Sequence, residues 1–335
     1  MTAWKGLMLD IARSFFPLPV LKRLVDVLAD LGLNVFHVHL SDDQGWRLEI
    51  PGRPELTATS GATAVAGGAA GYLTLADWAE LVSYADRRGV TVVPEIDLPG
   101  HINAALHACP ELNPAGVAPA AYDGNEVGFS RLHLGLPATE PFLRDVLGAV
   151  AAVTPGLWLH LGGDECLMLP EAEYVAAMRL AVEIVEACGK RPVAWQEGAL
   201  AGLGDRLVLQ YWRSAPGDDA TAPPADAQVA AGRRSRDALL AQAAAGASVI
   251  VSPAQYVYFN MRSVPADDAH QDWAGTVDLA KAGAWDPATV LPGLPPAALA
   301  GAEACLWTGY IHDEADLDAM LLPRLAVFAD VIRGL

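Results

Sequence analysis

Residues 157–165 read Leu-Trp-Leu-His-Leu-Gly-Gly-Asp-Glu: an apolar run, a histidine, two glycines and the carboxylates Asp164 and Glu165. Adjacent carboxylates repel unless a neighbour or a function holds them together, and one pKa of such a pair is pushed up. The apolar run reads as a buried parallel strand whose end carries both acids into a cleft. Other stretches end the same way: His39, Asp42 and Asp43; Glu95, Asp97 and His101; Trp195, Gln196 and Glu197; Tyr211 and Trp212; Tyr256 and Tyr258; Trp307. Brought to one face, these residues make an acidic floor inside an aromatic collar. A sugar suits that environment, because its hydroxyls bond carboxylates while its C–H faces lie on aromatic rings.

Eight strand-like segments supply these ends: residues 6–12, 34–40, 90–96, 157–161, 192–196, 206–212, 248–251 and 302–307. Helical periodicity falls between or after them over residues 19–31, 74–88, 141–153, 171–188, 234–244 and 317–332. In the first helix Leu21, Leu24, Val25, Leu28 and Leu31 form the apolar stripe, and Gly32 closes it. Strand and helix alternate throughout, which predicts an α/β fold with a parallel sheet; eight units predict a single (β/α)8 TIM barrel with its active site at the C-terminal ends of the strands. Residues 104–140 form a long Pro-, Gly- and Ala-rich connection, and loops of this length in compact domains are usually functional. Residues 214–231 read as a low-complexity loop. No G-x-G-x-x-G or P-loop follows the first strand, which lowers a nucleotide-binding reading.

The whole chain, residues 1–335, is expected to be one catalytic domain with no α+β domain before it. Its formal net charge of −18 disfavours nucleic acid and anionic membranes as partners. Four cysteines, Cys109, Cys166, Cys188 and Cys305, lack C-x-x-C spacing and read as free thiols. No apolar run approaches 18 residues, and Met1 leads into the first strand without a signal-peptide pattern. A cytoplasmic protein is expected if Met1 is the native start, and a secreted one if the chain is trimmed. A monomer or homodimer is expected.

Seven segments together resemble one known family. They are Trp4-Lys-Gly-Leu-Met-Leu-Asp-Ile-Ala-Arg13, Asp42-Asp-Gln-Gly-Trp-Arg-Leu-Glu-Ile50, Pro94-Glu-Ile-Asp-Leu-Pro-Gly-His101, His160-Leu-Gly-Gly-Asp-Glu165, Trp195-Gln-Glu197, Gln210-Tyr-Trp-Arg213 and Glu303-Ala-Cys-Leu-Trp-Thr308. They look like motifs of glycoside hydrolase family 20, the β-N-acetylhexosaminidases. The resemblance implies hydrolysis of terminal N-acetylhexosamine with retention. The substrate's own 2-acetamido oxygen would attack the anomeric carbon to form an oxazolinium ion, an exception among retaining glycosidases. Glu165 would be general acid and then general base. Asp164 would hold the acetamide N–H and stabilise the developing positive charge. Tyr258 would donate to the acetamide oxygen, and Trp195, Trp212 and Trp307 would box the acetyl group and ring. Lys5, His101 and Asn260 join the expected substrate contacts, Asp42 would contact substrate hydroxyls or support the acid through His101, and His39, Asp97 and His160 stand behind them. No metal and no cofactor are expected.

Two positions depart from the family pattern. Lys5 stands where arginine is usual, and Gly309 stands where glutamate is usual, two residues after the last tryptophan. Both are expected to face the sugar's O3, O4 and O6. Either the enzyme is weak because these contacts are simply gone or are replaced by Asp313 or Glu314, or the space left by the acid favours a 6-substituted sugar with Lys5 nearby. The alternative function is a carbohydrate-binding barrel of the same family that is catalytically weak or inactive.

Overall fold

The computed structural model describes residues 2–213, 227–264 and 269–335. Its strands are β1 (Trp4–Asp10), β2 (Val35–His39), β3 (Thr91–Glu95), β4 (Trp158–His160), β5 (Arg191–Trp195), β6 (Val208–Tyr211), β7 (Val249–Val251) and β8 (Leu299–Leu306). Each pairs in parallel with the next, and β8 returns to β1, so the sheet is a closed barrel. The expected (β/α)8 architecture is therefore present.

Period-two alternation sorts the strand side chains. Along β2, Phe36 and Val38 face outward into the large apolar layer shared with the helices, while Val35 joins Trp4, Val93, Val193, Val208 and Ile250 inside the barrel near its N-terminal end. His37 and His39 lie on the same inward row as Val35 but nearer the C-terminal end, and both are fully buried. The barrel interior thus passes from an apolar plug to a polar core.

The outer helices are α1 (Leu18–Asp30), α2 (Leu75–Asp86), α3 (Thr139–Val153), α4 (Glu171–Ala187), α5 (Ala227–Ala244) and α6 (Glu314–Val331). In α1 the buried residues Val20, Leu21, Leu24, Val25 and Leu28 follow the predicted stripe, and Gly32 takes the left-handed φ of 72° just past the helix end. Helix α2 starts at a capping box: Thr74 Oγ1 accepts the Asp77 N–H at 3.1 Å, and Asp77 Oδ2 accepts the Thr74 N–H at 2.9 Å.

Strict strand–helix alternation does not hold. Between β5 and β6 the chain makes only two 3₁₀ turns, Gln196–Ala201 and Gly204–Arg206. Helix α5 lies against that connection, where Ser235 Oγ accepts from Gln196 Nε2 at 2.8 Å. Among its described residues the β7–β8 connection holds two short helices, Ala254–Val257 and Leu279–Gly283, and a 3₁₀ turn, Pro296–Ala298. Of the expected loop 214–231, residues 214–226 lie outside the described residues, and 227–231 already belong to α5. All four cysteines are free. No helix among the described residues is long and apolar enough to cross a membrane.

Candidate active site

At the C-terminal ends of the strands lies a cavity of about 430 Å³. Asp164, Glu165, His101, Trp212, Tyr258, Asn260 and Trp307, all expected from sequence, line it. The acids follow β4 through Gly162 and Gly163. A Cβ on Gly162 would stand 1.8 Å from Asp97 Oδ1, so only glycine lets the chain pass there. Asp97 itself accepts the Gly163 N–H at 3.0 Å and fixes the turn that presents the acids. Glu165 (φ 48°) and His101 (φ 49°) both hold left-handed backbone, a strain of about 1–3 kcal/mol each for non-glycine residues. Strained backbone of this kind is retained where surrounding structure and function require the geometry.

His101 connects the two acids to the barrel core. Its Nε2 lies 3.6 Å from Glu165 Oε2 and 3.8 Å from Asp164 Oδ2, while its Nδ1 meets Asp42 Oδ1 at 3.1 Å. Burial opposes a charge on His101, but Asp42 and Asp164 outweigh it and raise its pKa well above the usual histidine value. Burial also opposes ionisation of Asp42, yet Arg13 and His101 hold it well below the carboxylate range. Arg13 binds Asp42 at 2.8 Å and lies 5.0 Å over the Trp307 ring. For Asp164, burial pushes the pKa up, His101 pulls it back, and Glu165, Glu95 and Asp42 push again, to about 6. Glu197 is pushed up to about 8, by burial and then by Asp164, and accepts the Trp212 indole N–H at 3.1 Å.

Beneath Asp42 runs a ladder of alternating histidines and carboxylates. His39 bridges Asp42 (2.8 Å) and Glu95 (2.7 Å); His37 bridges Glu95 (3.0 Å) and Glu303 (2.9 Å). Glu303 also accepts the Trp4 indole N–H at 2.6 Å. His160 lies 3.1 Å from Glu95 and accepts the Gly162 N–H at 3.0 Å. The sets His37–Glu95–His160 and His101–Asp164–Glu165 each bring three potential metal donors within 4.8 Å. The first set holds two histidines to one carboxylate, and the second one histidine to two carboxylates.

The aromatic collar is built from Trp212 stacked on Tyr258 (centroids 6.1 Å, 9°), Trp307 beside Tyr258 (6.3 Å), and Trp273 standing edge-on to both Trp212 and Tyr258. Trp195 is fully buried, behind Trp307 at 5.8 Å, with its N–H on Glu95.

Several expected placements are corrected. Lys5 lies near the N-terminal end of β1, on the row opposite the inward Trp4, and its Nζ donates to the Arg333 carbonyl at 3.1 Å. It is therefore remote from the cavity; Arg13, just past the C-terminal end of the same strand, and Arg213, just past that of β6, are the arginines on the wall. Of the two roles expected for Asp42 the geometry favours support through His101, since Asp42 is 1 % exposed and held by Arg13, His39 and His101. Asp313 caps α6 and Glu314 faces Arg23, so neither replaces an acid at Gly309. With Lys5 elsewhere, the pairing of a 6-substituent with that lysine is removed.

Sequence reasoning missed Arg13, Gln44, Asn125, Gln271 and Trp273 on the wall, and His37 and Glu303 beneath it. Arg13 was legible: it ends a quoted motif at the correct end of its strand. Asn125 and Trp273 sit on long irregular connections that carry no periodic signal.

The family model of glycosyl hydrolase family 20, catalytic domain, matches residues 3–332. A β-N-acetylhexosaminidase of Cellulomonas fimi is 44 % identical over 329 residues, covering 98 % of this chain and 63 % of that protein. The structure of a family-20 β-N-acetylhexosaminidase from Streptomyces coelicolor A3(2) superposes with a TM-score of 0.91 at 42 % identity, over 98 % of this chain and 64 % of that one. A mutant Streptomyces plicatus β-hexosaminidase in complex with its product, GlcNAc, gives 0.91 at 41 %, over 98 % of this chain and 63 % of that one. The chain thus spans slightly less than two thirds of these relatives' length. Matched across nearly all of its own residues, with the acid pair where the barrel strands end, the chain belongs to glycosyl hydrolase family 20.

Proposed function

We propose that the chain hydrolyses terminal β-linked N-acetylhexosamine, with retention and by substrate assistance. One observation carries the reading: two carboxylates from a single strand end share one imidazole, beside an aromatic-walled cavity of about 430 Å³. Retaining enzymes with a protein nucleophile set their two carboxyl groups on either side of the scissile bond. Here both acids leave the same strand end, so the face opposite Glu165 is left to the substrate's own acetamide.

Glu165 protonates the leaving glycosidic oxygen while the acetamide oxygen attacks the anomeric carbon and the C–O bond breaks. Asp164, ionised above its pKa of about 6, accepts the acetamide N–H and faces the positive charge that forms. Tyr258 donates to the acetamide oxygen, and Trp212 and Trp307 enclose the methyl group and the ring. Glu165 then takes a proton from the incoming water, which opens the oxazolinium ion from the same face the aglycone left. The GlcNAc bound by the S. plicatus relative supports an N-acetylated sugar as the substrate.

The test is turnover of a chromogenic N-acetyl-β-glucosaminide. A saturable rate lost in Asp164→Asn supports the reading, and no turnover leaves the binding barrel. Covalent labelling by a 2-deoxy-2-fluoro glycoside would overturn the assignment of the nucleophile.

A further inference from the structure

The connection between β3 and α3 lays a side chain across the cavity mouth onto a glycine. Asn125 Nδ2 donates to the Gly309 carbonyl at 3.1 Å, and both residues line the cavity. A Cβ on Gly309 would stand 2.3 Å from Asn125 Oδ1, so glycine at 309 is what admits the asparagine. The connection is held in this course at several points. Gln44 Nε2 donates to the Gly124 carbonyl at 2.7 Å, Ala66 N–H to the Asp123 carbonyl at 2.8 Å, and Glu126 N–H to the Tyr122 hydroxyl at 2.8 Å.

Because a carbonyl can only accept, the bond to Gly309 fixes which end of the Asn125 amide is spent. Its oxygen is the free end, standing where a side chain on Gly309 would begin, on a residue that lines the cavity. Gln44 is arranged alike: its nitrogen is used on Gly124, while its Oε1 is buried without a hydrogen-bond partner on a side chain that lines the same cavity. Arg13, which lines the same cavity as does Arg213, supplies N–H donors to it. Sugar hydroxyls both donate and accept, so two amide oxygens and a guanidinium form a reading head for them. Elsewhere on the wall Asn260 Nδ2 donates to Gln271 Oε1 at 2.6 Å, which leaves Asn260 Oδ1 as a further unpartnered acceptor beside Trp273 and Tyr258 rather than beside Gly309.

We infer that Asn125 is a specificity-determining residue, whose Oδ1 accepts a hydrogen bond from a hydroxyl on the non-reducing edge of the bound sugar, with Gln44 beside it. This rests on the hexosaminidase reading, in which Asp164, Glu165 and Tyr258 serve the reacting end and the acetamide. A neutral amide delivered by a connection stands where the family pattern has an acid on the strand end.

The test measures kcat/KM for p-nitrophenyl N-acetyl-β-glucosaminide and its 3-, 4- and 6-deoxy analogues, in the parent, Asn125→Ala, Gly309→Ala and the double variant. Asn125→Ala should lower kcat/KM about 3–10-fold on the full sugar, and one deoxy analogue should abolish the difference between parent and variant. Gly309→Ala, whose methyl displaces Asn125, should show the same pattern, and the double variant should be no worse than either single one. Equal loss on the full sugar and every deoxy analogue would overturn the inference, reducing Asn125 to a fastening for the connection. A parent inert on every N-acetylglucosaminide would instead overturn the hexosaminidase reading, and the inference with it. Thermal melting of each variant separates misfolding from lost recognition. Should Asn125→Ala fail to fold, Gly309→Ala carries the same comparison.

Discussion

Trp195 donates its indole N–H to Glu95 at 3.0 Å, and its ring stands against Trp307 at 5.8 Å. The support of the aromatic wall and the buried ladder of histidines and carboxylates are therefore joined through one side chain. Trp195→Phe would keep most of the packing and leave a buried carboxylate oxygen without that donor. Such a loss destabilises by about 1–3 kcal/mol. Urea unfolding should show this as a lower midpoint at unchanged slope; an unchanged midpoint would mean the bond contributes nothing net.

Asp164 should impose an acid limb on kcat. Its pKa of about 6 lies above the ordinary aspartate value, so it gains a proton as pH falls through about 6 and loses the charge that faces the oxazolinium ion. Activity should therefore decline below that pH. Asp164→Asn should lower kcat by about 10²-fold or more with little change in KM, because the charge it balances exists only near the transition state. The variant should also lack the acid limb; a limb that survives the substitution assigns it to another group.

For Glu165→Gln, the loss should depend on the leaving group. Acid assistance is worth about 10²–10⁴-fold where the leaving oxygen is basic, and little where it departs unaided. Rates across a series of substituted phenyl glycosides should steepen against leaving-group pKa in the variant. Equal losses along the series would remove Glu165 from the acid role.

Two glycines should respond in opposite directions to alanine. A Cβ on Gly6 would stand 2.4 Å from Glu303 Oε2 and 2.7 Å from Trp4 Nε1, so Gly6→Ala should destabilise strongly by breaking that bond. Gly148, within α3, has nothing near its absent Cβ, and Gly148→Ala should stabilise by about 0.5–1 kcal/mol. Denaturant midpoints of the two variants check both signs.

The barrel and its acid pair were legible because both rest on short-range pattern. Inward and outward residues alternate along β2, and the α1 stripe and Gly32 set that helix and its end. Lys5 was misplaced because the motif was matched by residue type rather than by position along β1. At about 3.3 Å per residue, Lys5 and Asp10 stand roughly 16 Å apart along the strand, so the two ends of one motif cannot serve one cavity. Asn125 and Trp273 were out of reach for a different reason. Their positions depend on contacts between connections distant in sequence, such as Asn125 with Gly309, which no local period encodes. His37 was invisible as a bridge because its partners Glu95 and Glu303 lie on different strands.

Glu303 and Trp4 carry the ladder down to the layer where the barrel is otherwise filled by valines and isoleucine. The usual separation in this fold, with chemistry at one rim and stability at the other, is therefore blurred in this chain. Transplanting the acid pair and its loops onto another barrel would leave His101 and Asp42 without the histidines and carboxylates that support them from below. A working graft must carry the inner faces of β1, β2, β3 and β8 along with the rim, so the smallest transferable unit is most of the barrel's interior.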